Sequence, residues 1–233
     1  MLISLCIPCM NRTYSLRETL SSVIQSANAS PPVEITVINY NSQDDLDEYI
    51  KTINGLIEGN FLTYIKYNKG KYYNSPHARN LSVLLSKGDY IVQLDTEIIL
   101  EKEFVSYIRS RLEVENLTWM CEEYSGRCIV IKKQEFIDAG GYDERFILYA
   151  PEDRDICARL HRRGGKFEIF SKKLLHDIYT PNDEKIRNKN LEQFEGKKVN
   201  IKREMGKLMH QILDENNEKV VLVANEGKDW GVP

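Results

Sequence analysis

The sequence has no apolar run approaching the roughly 18–20 residues that a membrane-spanning helix needs. It has almost no excess of charge either, since Lys+Arg 32 against Asp+Glu 35 leaves −3. A dedicated nucleic-acid binder carries a basic field, so this balance argues against one, while a local basic patch stays open. Cysteine is sparse and odd in number, five in 233 residues, which argues against a disulfide framework. No repeat of 20–50 residues and no low-complexity tract is found. Met1–Cys9 offers no basic leader and too short an apolar stretch for a signal peptide. The expectation is a soluble, cytoplasmic protein.

What is present is ordinary for a folded chain. Apolar residues at 42% and charged residues at 29% are too apolar a mixture for general disorder and enough for a real core. One large domain, or one domain with an appendage, fits the length. Cys6 and Cys9 form a Cys-x-x-Cys around Ile7-Pro8. A redox motif of that kind opens a helix after a strand, whereas Cys6 lies inside the strand-like run Ile3–Ile7. At least one of the two sulfurs therefore reads as core filling. Cys121, Cys128 and Cys157 add no second close pair, so zinc has little support.

The first ~100 residues alternate between strand-like and helix-like runs. Ile3–Ile7, Glu34–Ile38, Leu62–Lys66 and Tyr90–Leu94 read as strands. Ser15–Gln25, Asp44–Ile57 and Ala78–Ser86 read as helices between them. That order implies parallel strands with helices on both faces. Phe104–Leu112 then looks helical, Gly126–Ile131 extended, and Lys133–Ala139 helical up to Gly140-Gly141. Pro151–Arg163 is a helix with proline in its first turn and Gly164-Gly165 at its end, followed by a strand at Phe167–Phe170. Asn182–Asn216 is highly charged with helical spacing, and Val220–Ala224 could form a last strand.

In an open parallel sheet the ligand sits at the carboxyl ends of the strands. The loops to inspect are therefore Asn11-Arg12, Asn39-Tyr40-Asn41-Ser42 and Asp95-Thr96-Glu97. Asn and Ser end strands for local reasons as well, so each loop alone says little. Asp95 and Glu97 follow the apolar Ile91, Val92 and Leu94. Two acids there repel and lose solvation unless a cation joins them, and hard divalent cations take carboxylates and phosphates together. Asp153 shares a helical face with Ile156, Cys157 and Leu160, so a carboxylate stands on the stripe that should face the core. Desolvation there would raise its pKa toward that of a general base. Glu152 needs no more than the helix dipole to explain it. Of the histidines, His161 and His210 read as solvated and His77 as a cap or loop residue. His176 is open between a structural and a ligand role.

Taken in order, these segments resemble the family 2 glycosyltransferases of GT-A fold. The likeness rests on Ile3–Arg12 ending in Pro-x-x-Asn-Arg, on Glu34–Asp44, on His77-Ala78-Arg79-Asn80, and on Gly88–Ile91 leading to Asp95-Thr96-Glu97. Gly140-Gly141-Tyr142-Asp143-Glu144-Arg145-Phe146 followed by Pro151-Glu152-Asp153 and Arg159-Leu160 also resembles the related galactosyltransferase C-terminal motif. The resemblance covers about residues 1–180. It implies an α/β, Rossmann-like, mostly parallel sheet flanked by helices, with residues 181–233 as a charged helical extension packed on the domain. It also implies Mn²⁺ or Mg²⁺ on Asp95, Glu97 and His176, and a nucleotide-sugar pocket formed by Pro8, Asn11, Arg12, Asn39, Ser42, Arg79, Asp95 and Glu152. Asp153 would be the base. Asn39 stands where the family usually has Asp, and Glu97 where it has a second Asp.

The implied chemistry is displacement at an anomeric carbon, with one base and hence inversion. The donor would be a nucleotide sugar, UDP-linked by the family's habit, and the acceptor a hydroxyl on a glycan or another molecule. Nucleotidyl transfer is the rival enzyme class, but Pro8–Thr13 has no glycine for a triphosphate loop. A degenerate domain that binds nucleotide or glycan without turnover is the non-enzymatic rival.

Overall fold

The computed structural model describes residues 1–53, 61–123, 128–147, 151–178 and 201–222, the last stretch through its backbone alone at 201–206. The elements are β1 (Ile3–Cys9), α1 (Thr13–Asn28), β2 (Val33–Tyr40), α2 (Leu46–Ile53), β3 (Phe61–Tyr67), α3 (Ser75–Leu85) and β4 (Tyr90–Gln93). There follow β5 (Ile98–Leu100), α4 (Phe104–Glu115), β6 (Trp119–Glu122), β7 (Ile129–Lys132), α5 (Lys133–Asp138), α6 (Glu152–Arg163), β8 (Phe167–Phe170), β9 (Leu175–Asp177) and α7 (Ile201–Asn216).

The main sheet has the order β3-β2-β1-β4-β7-β6-β8. Strands β1 to β4 are mutually parallel, β7 is antiparallel to both β4 and β6, and β8 is parallel to β6. β1 and β2 are buried along their whole length, as apolar strands covered on both faces must be. One face packs on α1 and α4 through Leu16, Leu20, Val23, Phe104, Ile108 and Leu112. The other packs on Phe136, Tyr142, Ile156 and Leu160.

The α/β expectation is met, and the strands expected in the first ~100 residues are found with small changes of boundary. Three short strands, β5, β6 and β9, had no signal. β5 and β9 have three residues each and pair only with one another, too few for a period to show. Helix α3 starts at Ser75, earlier than its apolar run, because the Asn74 side chain accepts from His77 N at 3.0 Å and Pro76 stands in the first turn. Residues 220–222 are described and form no strand. The expectations for 54–57, 126–127, 182–200 and 223–224 lie outside the described residues.

Both thiols of the Cys-x-x-Cys are buried in β1, and burial pushes each up to about 12, so neither is a ready thiolate. Helix α6 is fastened from within. Arg159 is fully buried and donates to Asp155 Oδ2 at 2.8 Å, to Ala139 O at 2.6 Å and to Gly141 O at 2.6 Å. This one guanidinium ties α6 to the Gly140-Gly141 turn, whose φ angles of 81° and 66° suit glycine. Replacing Arg159 by Met keeps bulk but strands the buried Asp155 carboxylate. The expected cost is about 3–5 kcal/mol in a urea melt.

Candidate active site

The parallel strands deliver their loops to one edge, and the loops are laced together there. Asn11 and Asn41 both take φ of 55°, a left-handed turn that Asn tolerates better than most residues. Asn11 N donates to Ser42 Oγ at 3.0 Å, and Asn11 Oδ1 accepts from Gln43 N at 2.7 Å. Asp44 Oδ2 accepts from Thr13 N at 2.9 Å, which fixes the start of α1. Pro8 lies inside β1 opposite Ile38 and is buried. It shapes the strand and does not stand at the rim.

Asn39 is turned inward. Its amide donates to Tyr64 Oη at 2.8 Å and Asp47 Oδ1 at 3.1 Å, and its oxygen accepts from Ser42 N at 2.7 Å. Those bonds engage the whole side chain in loop structure. The Asp47 carboxyl is held below the usual carboxylate range by Lys66 and Tyr64. Beside this cluster a cleft of about 510 Å³ is lined by Met10, Asn41, Gln43, Asn68, Lys69, Lys71 and Tyr72. The polar Lys69-Gly70-Lys71 loop was visible in the sequence, but nothing there tied it to the ends of β1 and β2.

The centre of the site is Arg79. Its side chain is 4% exposed. Nη2 donates to Asp95 Oδ1 at 2.8 Å, Nη1 donates to Asp153 Oδ1, and Nη1 lies 3.9 Å from Glu152 Oε1. Burial works against the guanidinium charge, but Asp153 and Asp95 beside it raise its pKa well above the usual value. Three carboxyl groups thus surround one cation. Arg79 Nε and Glu152 Oε2 are buried without a hydrogen-bond partner. Burial raises the Asp153 pKa against the pull of Arg79, and pushes Glu152 up to about 7.

Two expectations change here. Glu152 was explained by the helix dipole alone, yet its side chain is 9% exposed and more enclosed than that of Asp153, at 19%. The helical stripe correctly placed Ile156 and Leu160 inside, but the first turn of α6 dips into the sheet edge and takes Glu152 with it. The expected metal set is not assembled. Both oxygens of Glu97 accept from Arg12 Nη1, at 2.9 and 2.8 Å. His176 belongs to β9, pairs in register with Ile99 of β5, and places Nε2 2.7 Å from Glu101 Oε1. Among the described residues no three His, Cys, Asp or Glu side chains are grouped to hold a cation. Asp95, Glu97 and His176 do not fit one metal in this arrangement, because each is already matched to a different partner.

Comparison with known proteins places this geometry in a class. The solved structures it superposes on are GT-A glycosyltransferases: TarS of S. aureus, residues 1–349 with UDP, has a TM-score of 0.66 at 13% identity, over 93% of this chain and 70% of that one. A Pyrobaculum calidifontis mannosyltransferase with GDP-Man and Mn²⁺ has a TM-score of 0.65 at 12% identity, over 99% and 72%. The fold is GT-A. The sequence then narrows the class, since residues 97–202 match the family described as glycosyltransferase like family 2. Abequosyltransferase RfbV of Salmonella typhimurium (strain LT2) is 26% identical over 175 residues, 73% of this chain and 51% of that protein. The chain therefore spans about half the length of this relative. The resemblance to family 2 glycosyltransferases is borne out. Among the described residues no helix is long and apolar enough to cross a membrane.

The raised pKa of Glu152 has a thermodynamic consequence. Its folded value near 7 exceeds its unfolded value, so the folded state binds the proton more tightly. The stability this contributes is complete below about pH 4.5 and is lost as pH rises through about 7. Glu152→Gln should remove that decline. Subtracting the variant's urea-melt stability from that of the wild type across pH 4–8 isolates it from the other carboxyl groups.

Proposed function

We propose that the domain transfers a sugar from a nucleotide-sugar donor to an acceptor hydroxyl, with inversion at the anomeric carbon and Asp153 as the base. The observation that carries this reading is the Arg79 guanidinium shared by Asp95 and Asp153. It joins the loop after β4 to the first turn of α6, at the edge where an open sheet binds its ligand. Asp153 is partly exposed and has a raised pKa, two properties a base needs in order to meet a substrate and accept its proton.

The donor's nucleotide is assigned to the ends of β1 and β2 and the cleft beside them. Lys69 and Lys71 bring positive charge there, and Asn41 and Gln43 bring amide groups. Pro8, Asn11, Asn39 and Ser42 support this pocket through the backbone they hold. Arg12 and Arg79 are the cations nearest the acid loop, so the charge growing on a leaving diphosphate is assigned to them. Asp153 takes the acceptor's proton as the new bond forms, and a single base without a carboxylate nucleophile gives inversion. UDP is the favoured carrier because the TarS complexes hold UDP and UDP-GlcNAc, with GDP the alternative from the mannosyltransferase. Mn²⁺ or Mg²⁺ remains part of the reading on the strength of that Mn²⁺-bound neighbour.

Residues 1–180 form the catalytic part in this reading and 181–233 an extension. Met209 and Ile212 of α7 pack on Phe146, in the loop before α6, which suits a helix that helps position the acceptor. A glycan acceptor and a place in polysaccharide synthesis follow from the same likeness.

A thermal-shift panel of UDP-, GDP-, CDP- and dTDP-sugars, with and without Mn²⁺, identifies the donor, since ligands that bind the folded state raise Tm. Asp153→Asn should leave that shift intact and lower sugar transfer by about 10²–10⁴-fold. Transfer at near wild-type rate would remove Asp153 from the mechanism. Turnover unchanged in excess EDTA would remove the metal, and donor binding without any release of nucleoside diphosphate would favour the degenerate binding domain.

A further inference from the structure

We infer that Glu97 is an internal stand-in for the donor's diphosphate, a carboxylate that holds Arg12 until the donor displaces it. The inference rests on the nucleotide-sugar reading above, and it gives Glu97 a role other than metal ligand. Arg12 stands at the N-cap of α1, and Glu97 ends the acid loop just before β5. They meet side chain to side chain across the sheet edge, with Arg12 Nη1 donating to both Glu97 oxygens at 2.9 and 2.8 Å.

The backbone on either side of this pair is fixed. Arg12 O accepts from Ser15 N at 3.0 Å and Leu16 N at 3.1 Å, as the first turn of α1 requires. Thr96 O accepts from Thr19 Oγ1 at 2.7 Å, and Glu97 O accepts from Ile178 N at 3.0 Å. Displacement therefore asks only the Glu97 side chain to turn. Besides Arg12, the carboxylate is held by Thr96 Oγ1, which donates to Oε2 at 2.9 Å.

The acid loop carries two acid–arginine pairs, and they differ in kind. Asp95 answers Arg79, whose side chain is 4% exposed and is shared with Glu152 and Asp153. Drawing Arg79 away would strand buried acids, which is costly. Arg12 and Glu97 are 23% and 21% exposed, so water reaches both, and an ion pair in that setting is weak. Both Glu97 oxygens also rest on one nitrogen, whereas the strong fork-to-fork pair uses two in parallel. A diphosphate brings more charge and more oxygens to the same guanidinium, so it outcompetes one carboxylate. The donor's affinity is then lowered by whatever Glu97 gains from Arg12, and removing the Glu97 charge should raise it.

Isothermal titration of UDP, GDP and inorganic pyrophosphate into the full chain tests this in EDTA buffer, with UDP and GDP repeated in Mn²⁺. The proteins are wild type, Glu97→Gln, Arg12→Met and the double variant. Glu97→Gln should bind the probes about 3–10-fold tighter, the scale of a partly exposed ion pair, with or without Mn²⁺. Arg12→Met should weaken binding and erase the gain, so that the double variant matches Arg12→Met alone. Unchanged affinity in Glu97→Gln would overturn the inference. A gain that survives in the Arg12→Met background would overturn it as well, as a general effect of charge. A loss of affinity in Glu97→Gln seen only with Mn²⁺ would overturn it and return Glu97 to the metal. Each of those results leaves the donor reading in place, whereas no binding of any probe by wild type or Glu97→Gln would overturn both.

Discussion

A guanidinium buried among three carboxyl groups is the constraint on which this molecule turns. Arg79 cannot leave without stranding Asp95, Glu152 and Asp153 in a poorly solvated pocket, and they cannot approach one another without it. The arrangement joins three distant parts of the chain: helix α3, the loop after β4 and the first turn of α6. The core on both faces of the sheet sets the distance between these parts, and the ion cluster sets their chemistry. One formal positive charge against three acids is also an unbalanced sum. The raised pKa of Glu152 follows from that imbalance, since burial and the neighbouring acids favour its neutral form.

Much of the fold was legible because it is written in runs long enough to carry a period. The buried strands β1 and β2 are continuous apolar segments, and α1 shows Leu16, Leu20, Val23 and Ile24 at helical spacing. The short strands β5, β6 and β9 were not legible, since pairing made at a distance holds them and their own sequence does not. Asn74 shows the intermediate case, a capping signal that was present in the sequence and stronger than the apolar pattern downstream of it.

The site was legible by residue type and less so by partner. Asp95, Arg79 and Asp153 come together, and the helical stripe that singled out Asp153 correctly buried Ile156 and Leu160. What composition could not say is which charge answers which. Glu97 answers Arg12, and His176 answers Glu101, because β9 lies against β5 and turns its histidine along that small sheet. Asn39 is the same lesson at the other end of the edge. Its identity was plain, while its partners Tyr64 and Asp47 belong to other elements and appear only once β2, β3 and α2 are packed.

Leu222 bears on how far the packing around the site extends. Leu222 N donates to Ala139 O at 3.1 Å, and a side chain at Gly140 would meet the Leu222 backbone at 3.0 Å. Leu222 is thus the outer wall of the turn that presents Tyr142. A fragment ended near residue 180 would keep every acid and the arginine of the site yet leave that turn open to water. The packing that shields this glycine turn therefore lies at Leu222, some seventy residues beyond Asp153, the last group of the site with chemistry to perform.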